Sequence, residues 1–81
     1  MNRLSDLKEG EKARVIRLQN GNEIKRRLQD IGVIPGTIIK CVLKSPLGDP
    51  VCYLIKGALI AIRNEDSDKI TVEGCLDWMI L

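Results

Sequence analysis

The sequence predicts a mainly β fold with one α-helix: a small, strongly curved barrel of five to six strands, the helix capping one end. Three observations predict it. Short aliphatic runs of alternating character recur from Lys12 to Glu73, and only Asn22 to Ile31 has helical spacing. Clusters of proline and glycine separate the runs, above all Gly32-Val33-Ile34-Pro35-Gly36 and Pro46-Leu47-Gly48-Asp49-Pro50. So little chain cannot build two proper sheets, whereas a curved barrel manages its strand edges and lets the helix plug one opening.

The elements follow in order. Leu4 to Gly10 reads as a lead-in segment with a short turn, and Lys12 to Leu18 as the first strand. Its apolar alternation slips at Val15-Ile16, the mark of a bulge or of burial on both faces. Gln19-Asn20-Gly21 turns the chain into a helix over Asn22 to Ile31, which Asn22 can cap and where Glu23 favours the first-turn dipole. Ile24, Leu28 and Ile31 share one helix face, Gly32 suits the left-handed position past the end, and Pro35 enforces the stop.

Thr37 to Lys44 is the second strand, with Ile39, Cys41 and Leu43 on one face. Val51 to Lys56 is the third. Gly57 breaks it, and Ala58 to Arg63 resumes as the fourth. Asn64 to Asp68 is a polar helical turn, and Ile70 to Glu73 is a last short strand. Residues 1–74 therefore read as a single domain, followed by an apolar tail over 75–81.

Composition bounds the function. With 81 residues there is one domain, and with no Phe and only Tyr53 and Trp78 as aromatics the core must be Ile, Leu and Val. A formal charge of +2 is too small to demand a polyanion. Cys41, Cys52 and Cys75 are odd in number and form no C-x-x-C, so no disulfide framework is expected. Met1 to Asp6 lacks a signal-peptide pattern, and no apolar run approaches the ~20 residues of a membrane span. A cytoplasmic setting is the expectation.

Arg27-Leu28-x-x-Ile31-Gly32-x-x-Pro35-Gly36, then Pro46-Leu47-Gly48-Asp49-Pro50, then Gly57 and Ile62-Arg63, then Ile70-x-Val72-Glu73 closely resemble the FeoA family. The likeness covers Leu4 to Glu73. It implies an SH3-like barrel of a small cytoplasmic accessory protein in bacterial ferrous-iron uptake. Its implied partner is a FeoB-type membrane permease with a cytosolic GTPase domain. Asp66-Ser67 departs from the Glu-Ala more often seen at that point of the family. The same module resembles the C-terminal domain of iron- and manganese-dependent repressors, whose helix-turn-helix has no room in this chain.

Among candidate sites the 46–50 loop stands first. Its bland reading is a connection stiffened by Pro46 and Pro50, with Gly48 at positive φ and Asp49 held extended. Its functional reading makes Leu47 a preorganised apolar contact for a partner, flanked by Pro46, Gly48 and Asp49. Lys25-Arg26-Arg27 reads either as a solvated basic face or, through Arg26 and Arg27, as a contact for an acidic partner or anionic lipid. Gly32, Pro35, Gly36, Pro50 and Gly57 are assigned to structural turns. Glu65, Asp66 and Asp68 read as a solvated acidic turn, not a metal site, because no calcium-loop spacing and no histidine accompany them. Cys41 and Cys52 read as small core hydrophobes on neighbouring strands, with Cys75 the most reactive. The tail, rich in Leu76, Trp78, Met79, Ile80 and Leu81, either folds back over the barrel or binds a permease or second copy.

These residues exclude most chemistry. No catalytic set, cofactor motif or metal-ligand group is present. A nucleic-acid-binding barrel, the alternative along with a metal-sensing module, would want aromatic stacking platforms on a basic groove. An arginine acting in trans on a GTPase is open to Arg26, Arg27 or Arg63. The reading is a protein-binding module without nucleic acid or membrane span. A weak homo-oligomer is left open.

Overall fold

The computed structural model describes residues 2–74. It holds β1 (Asn2–Arg3), a 3₁₀ turn (Leu4–Asp6), β2 (Lys12–Leu18), α1 (Asn22–Asp30), β3 (Ile38–Lys44), β4 (Val51–Ile55), β5 (Ala58–Ile62), α2 (Asn64–Ser67) and β6 (Ile70–Gly74). The six strands form one antiparallel sheet in the order β1-β6-β2-β3-β4-β5. β1 and β5 are its edges and do not pair with each other, so the curved sheet is left open along that seam.

Alternation sorts the side chains. Ala13, Val15 and Leu18 of β2, Ile39 and Cys41 of β3, and Val51, Tyr53 and Ile55 of β4 face a common core, which Ile70 and Val72 of β6 complete. Leu28 of α1, Val33 after it, and Leu4 and Leu7 before β2 close it from the ends. Tyr53 supplies the largest fully buried side chain in a core otherwise of aliphatics and Cys41.

Two bulges shape the sheet. One lies between Val15 and Arg17, where the sequence alternation slips. The other lies between Cys41 and Leu43 and turns Leu43 outward, to 60% exposure. That corrects the expectation that Leu43 shares the face of Ile39 and Cys41. The extra residue in the strand breaks the period-2 pattern.

Further differences are local. β1 is too short to carry a sequence pattern and exists through its pairing with β6, Asn2 opposite Val72 and Arg3 opposite Thr71. The helix begins one residue earlier than a cap at Asn22 would have it: Asn22 is the first helical residue, and Gly21, extended at φ −60° and ψ 158°, is the N-cap. Its carbonyl still accepts from the Lys25 amide at 2.8 Å. Ile31 is the C-cap, and Gly32 follows at φ +104°. The peptide bond before Pro50 is cis.

Candidate functional site

The connection from β3 to β4 begins with a tight turn. Ser45, Pro46, Leu47 and Gly48 occupy its four positions, and the Gly48 amide donates to the Ser45 carbonyl at 2.8 Å. Proline second and glycine fourth are the residues such a turn favours, so the local sequence specifies the bend. The turn is then fastened from outside. The Asn64 amide donates to Asp49 Oδ1 at 3.0 Å, and the Asn64 side-chain amide donates to the Gly48 carbonyl at 2.8 Å. Asp49 thereby satisfies one of the open N–H groups at the start of α2.

The consequence is an apolar side chain on a rigid support. Leu47 is 93% exposed, the most exposed large hydrophobic among the described residues. A contact whose backbone is already fixed loses little entropy on association. Pro46 and Asp49 are exposed beside it and Gly48 is half-buried, as the tether to Asn64 requires.

A second feature lies between α1 and β5. A groove of about 280 Å³ is walled by Ile24, Leu28 and Ile31 on the helix and by Ile60 and Ala61 on the strand. Arg27 and Arg63 stand at its rim with Asp66. Arg27 also pairs with Glu23, one helical turn back, at 3.2 Å. Arg26 is exposed and makes no ion pair among the described residues.

The expected contacts therefore fall in two places, the loop around Leu47 and the helix carrying Arg26 and Arg27. The β5–α2 junction stands between them, with Arg63 on the groove and Asn64 holding the loop. Sequence reading missed Asn64 as the loop's fastening, because an asparagine ahead of an acidic turn carries no sign of a partner distant in the chain. It also missed the groove. The signals were the charge-free run Ala58 to Ile62 and the half-exposed Ile31.

The remaining candidates serve structure. Asp68 accepts from the Ser5 hydroxyl and lies 3.8 Å from Arg3, so it ties α2 to the chain's start. Asp6 accepts from the Arg3 backbone amide and guanidinium, which hold its carboxyl below the usual range. Among the described residues no three His, Cys, Asp or Glu side chains group to hold a metal. Cys41 is fully buried, and burial pushes its thiol pKa up. Cys52 is half-buried on the neighbouring strand. Cys75 and the rest of the 75–81 tail lie outside the described residues. Among those described, no helix is long and apolar enough to cross a membrane.

Comparison with known proteins fits this geometry. The family model of the FeoA domain matches residues 2–74. A Porphyromonas gingivalis protein described as an Fe(2+) transport protein A/Fe(2+) transporter FeoB fusion is 37% identical over 71 residues. The match takes in 88% of this chain but only 8% of that protein's length. The solution structure of a FeoA protein from Chlorobium tepidum superposes with a TM-score of 0.86 at 35% identity, covering 89% of this chain and 69% of the other. The crystal structure of Stenotrophomonas maltophilia FeoA with zinc, described as a procaryotic SH3 domain protein, gives 0.78 at 26% identity over 90% and 91% of the two chains. The open, curved sheet with its helix at one end is thus SH3-like.

Proposed function

The chain belongs to the FeoA domain family, and we propose that it is a regulatory protein-binding module of bacterial ferrous-iron uptake. In this reading it docks on the cytosolic side of a FeoB-type GTPase permease and modulates it. It works in the cytoplasm, at the inner face of the membrane. The observation that carries the reading is the Porphyromonas gingivalis protein, in which a region similar to this chain is joined to FeoB. Fusion holds two partners at high effective concentration, which has value where the separate chains must meet.

The surface supplies the means. Leu47 on its fastened turn is the apolar contact, with Pro46, Gly48 and Asp49 shaping it, and Arg26 and Arg27 offer charge to an acidic surface. Modulation requires unequal affinity for two states of the permease. The test is capture of the permease from membranes by immobilised protein, with GTP analogue, with GDP and without nucleotide. Capture that differs between nucleotide states is the expected result. Equal capture in all three removes modulation and keeps docking, and no capture removes both.

A further inference from the structure

Charge is sorted by strand in this fold. β2, β3, β4 and β5 carry Lys12, Arg14, Arg17, Lys40 and Lys44 but none of the chain's 11 acidic residues. Lys12, Arg14 and Lys40 stand on the outer face of the sheet, the side away from the core, with Lys12 directly opposite Lys40. The carboxylates bordering this face are engaged. Glu73 meets Arg14 at 3.4 Å, Glu9 accepts from the Lys44 amide at 2.7 Å, and Glu11 accepts from the Lys8 amide at 2.7 Å. Lys40 makes no ion pair among the described residues.

The same face turns apolar on the next strands. Lys40 is opposite Leu54 and Leu54 is opposite Leu59, so one row across the sheet runs Lys12, Lys40, Leu54, Leu59. At the β3 bulge Val42 and Leu43 are exposed, and Leu43 is opposite Cys52, which shares the outer face of β4 with Leu54. Leu43 and Leu59 are 60% and 64% exposed. Single apolar side chains on a surface are ordinary, whereas a contiguous set beside a basic border marks a contact. We propose that this outer face lies on an anionic lipid bilayer. Leu43, Leu54 and Leu59 enter the boundary between headgroups and acyl chains, and Lys12, Arg14 and Lys40 lie among the lipid phosphates. This goes beyond docking on the permease, which rests on Leu47, and does not depend on it.

The residue types select lipid over protein. Lysine is depleted in the cores of protein interfaces, because its ammonium loses hydration there and needs a carboxylate in return. On a bilayer its stem lies along apolar surface while its charge stays wet among the headgroups, so the neighbouring leucines leave water with no charge buried. Phosphate accepts from lysine as a point charge, and each cation near an anionic membrane adds to the attraction. A carboxylate on the same strands would be repelled, and β2 to β5 have none.

The test is cosedimentation of the full chain with vesicles of phosphatidylcholine alone and of phosphatidylcholine with phosphatidylglycerol. The expected result is binding to the anionic vesicles that salt weakens, with at least about ten-fold weaker binding to phosphatidylcholine alone. Lys40→Gln should weaken binding about five-fold, whereas Lys69→Gln, which removes an exposed cation between α2 and β6, should leave it unchanged. The double variant L43S/L59S should weaken it at least about ten-fold, with circular dichroism confirming the fold. If that variant does not fold, Lys40→Gln against Lys69→Gln still decides. No binding to anionic vesicles overturns the proposal and leaves the face to a protein partner. Binding that L43S/L59S leaves unchanged, or that Lys69→Gln weakens as much as Lys40→Gln, overturns it as well. The vesicles hold no permease, so failure here leaves docking through Leu47 standing.

Discussion

Lys56 lies across Gly32. A Cβ on Gly32 would come within 2.9 Å of Lys56 Cδ and 3.3 Å of its Cε and Cγ. The end of α1 and the β4–β5 hairpin are thereby braced against each other, each at a backbone position of positive φ: +104° at Gly32 and +49° at Lys56. The lysine stem can swing aside, so the backbone decides the effect of substitution. Gly32→Ala should cost about 1–2 kcal/mol of stability. Urea unfolding measures it, and a midpoint equal to that of the parent chain would contradict the assignment.

Lys56 and Gly57 form a two-residue hairpin with positive φ at both positions, +49° and +84°. Asparagine is the residue such a turn prefers at the first of them. Lys56→Asn should therefore raise stability by about 0.5 kcal/mol, as the relieved strain outweighs the lost stem contact. Thermal unfolding reads the sign directly.

Asp49 and Asn64 act as a pair. Removing either one, as Asp49→Ala or Asn64→Ala, should cost about 1 kcal/mol, the usual value of a lost helix-terminal acceptor. The double variant should lose less than the sum, because both changes open the same fastening. Chemical denaturation of all three variants closes the cycle.

Burial pushes the pKa of the Tyr53 hydroxyl up to about 12 from the ordinary value of about 10, and the hydroxyl donates to the Leu4 carbonyl at 3.5 Å. The folded chain disfavours the phenolate, so this stabilisation is whole below pH ~10 and is lost as the pH rises toward ~12. Tyr53 is the sole tyrosine. Its absorbance near 295 nm should thus titrate late in the folded protein and near pH 10 in urea. Equal titration in both would show that the hydroxyl reaches solvent.

Much of the fold was readable because its cues are local. The alternation in Lys12 to Leu18, the slip at Val15-Ile16 and the Gly32 stop each act within a few residues, and each appears where the pattern puts it. β1 was not readable, since two residues hold no period and depend on β6 from the far end of the chain. Leu43 misled because a bulge changes facing without changing composition. At the candidate site, Pro46 and Gly48 announce the turn, yet its stiffness comes from Asn64, sixteen residues beyond Gly48. The open seam at β5 is a property of strand order and has no sequence signature.

The proposed docking depends on a fixed turn that offers Leu47 to a partner. Leu47→Asp removes the apolar contact from a side chain that touches solvent almost everywhere, so thermal stability should be unchanged within about 0.5 kcal/mol. The decisive measurement is the affinity of the parent chain and of Leu47→Asp for the cytosolic region of a FeoB-type permease, by titration calorimetry. Binding at least about ten-fold weaker, with the fold intact, is the expected result. Equal affinity for the two chains would contradict it.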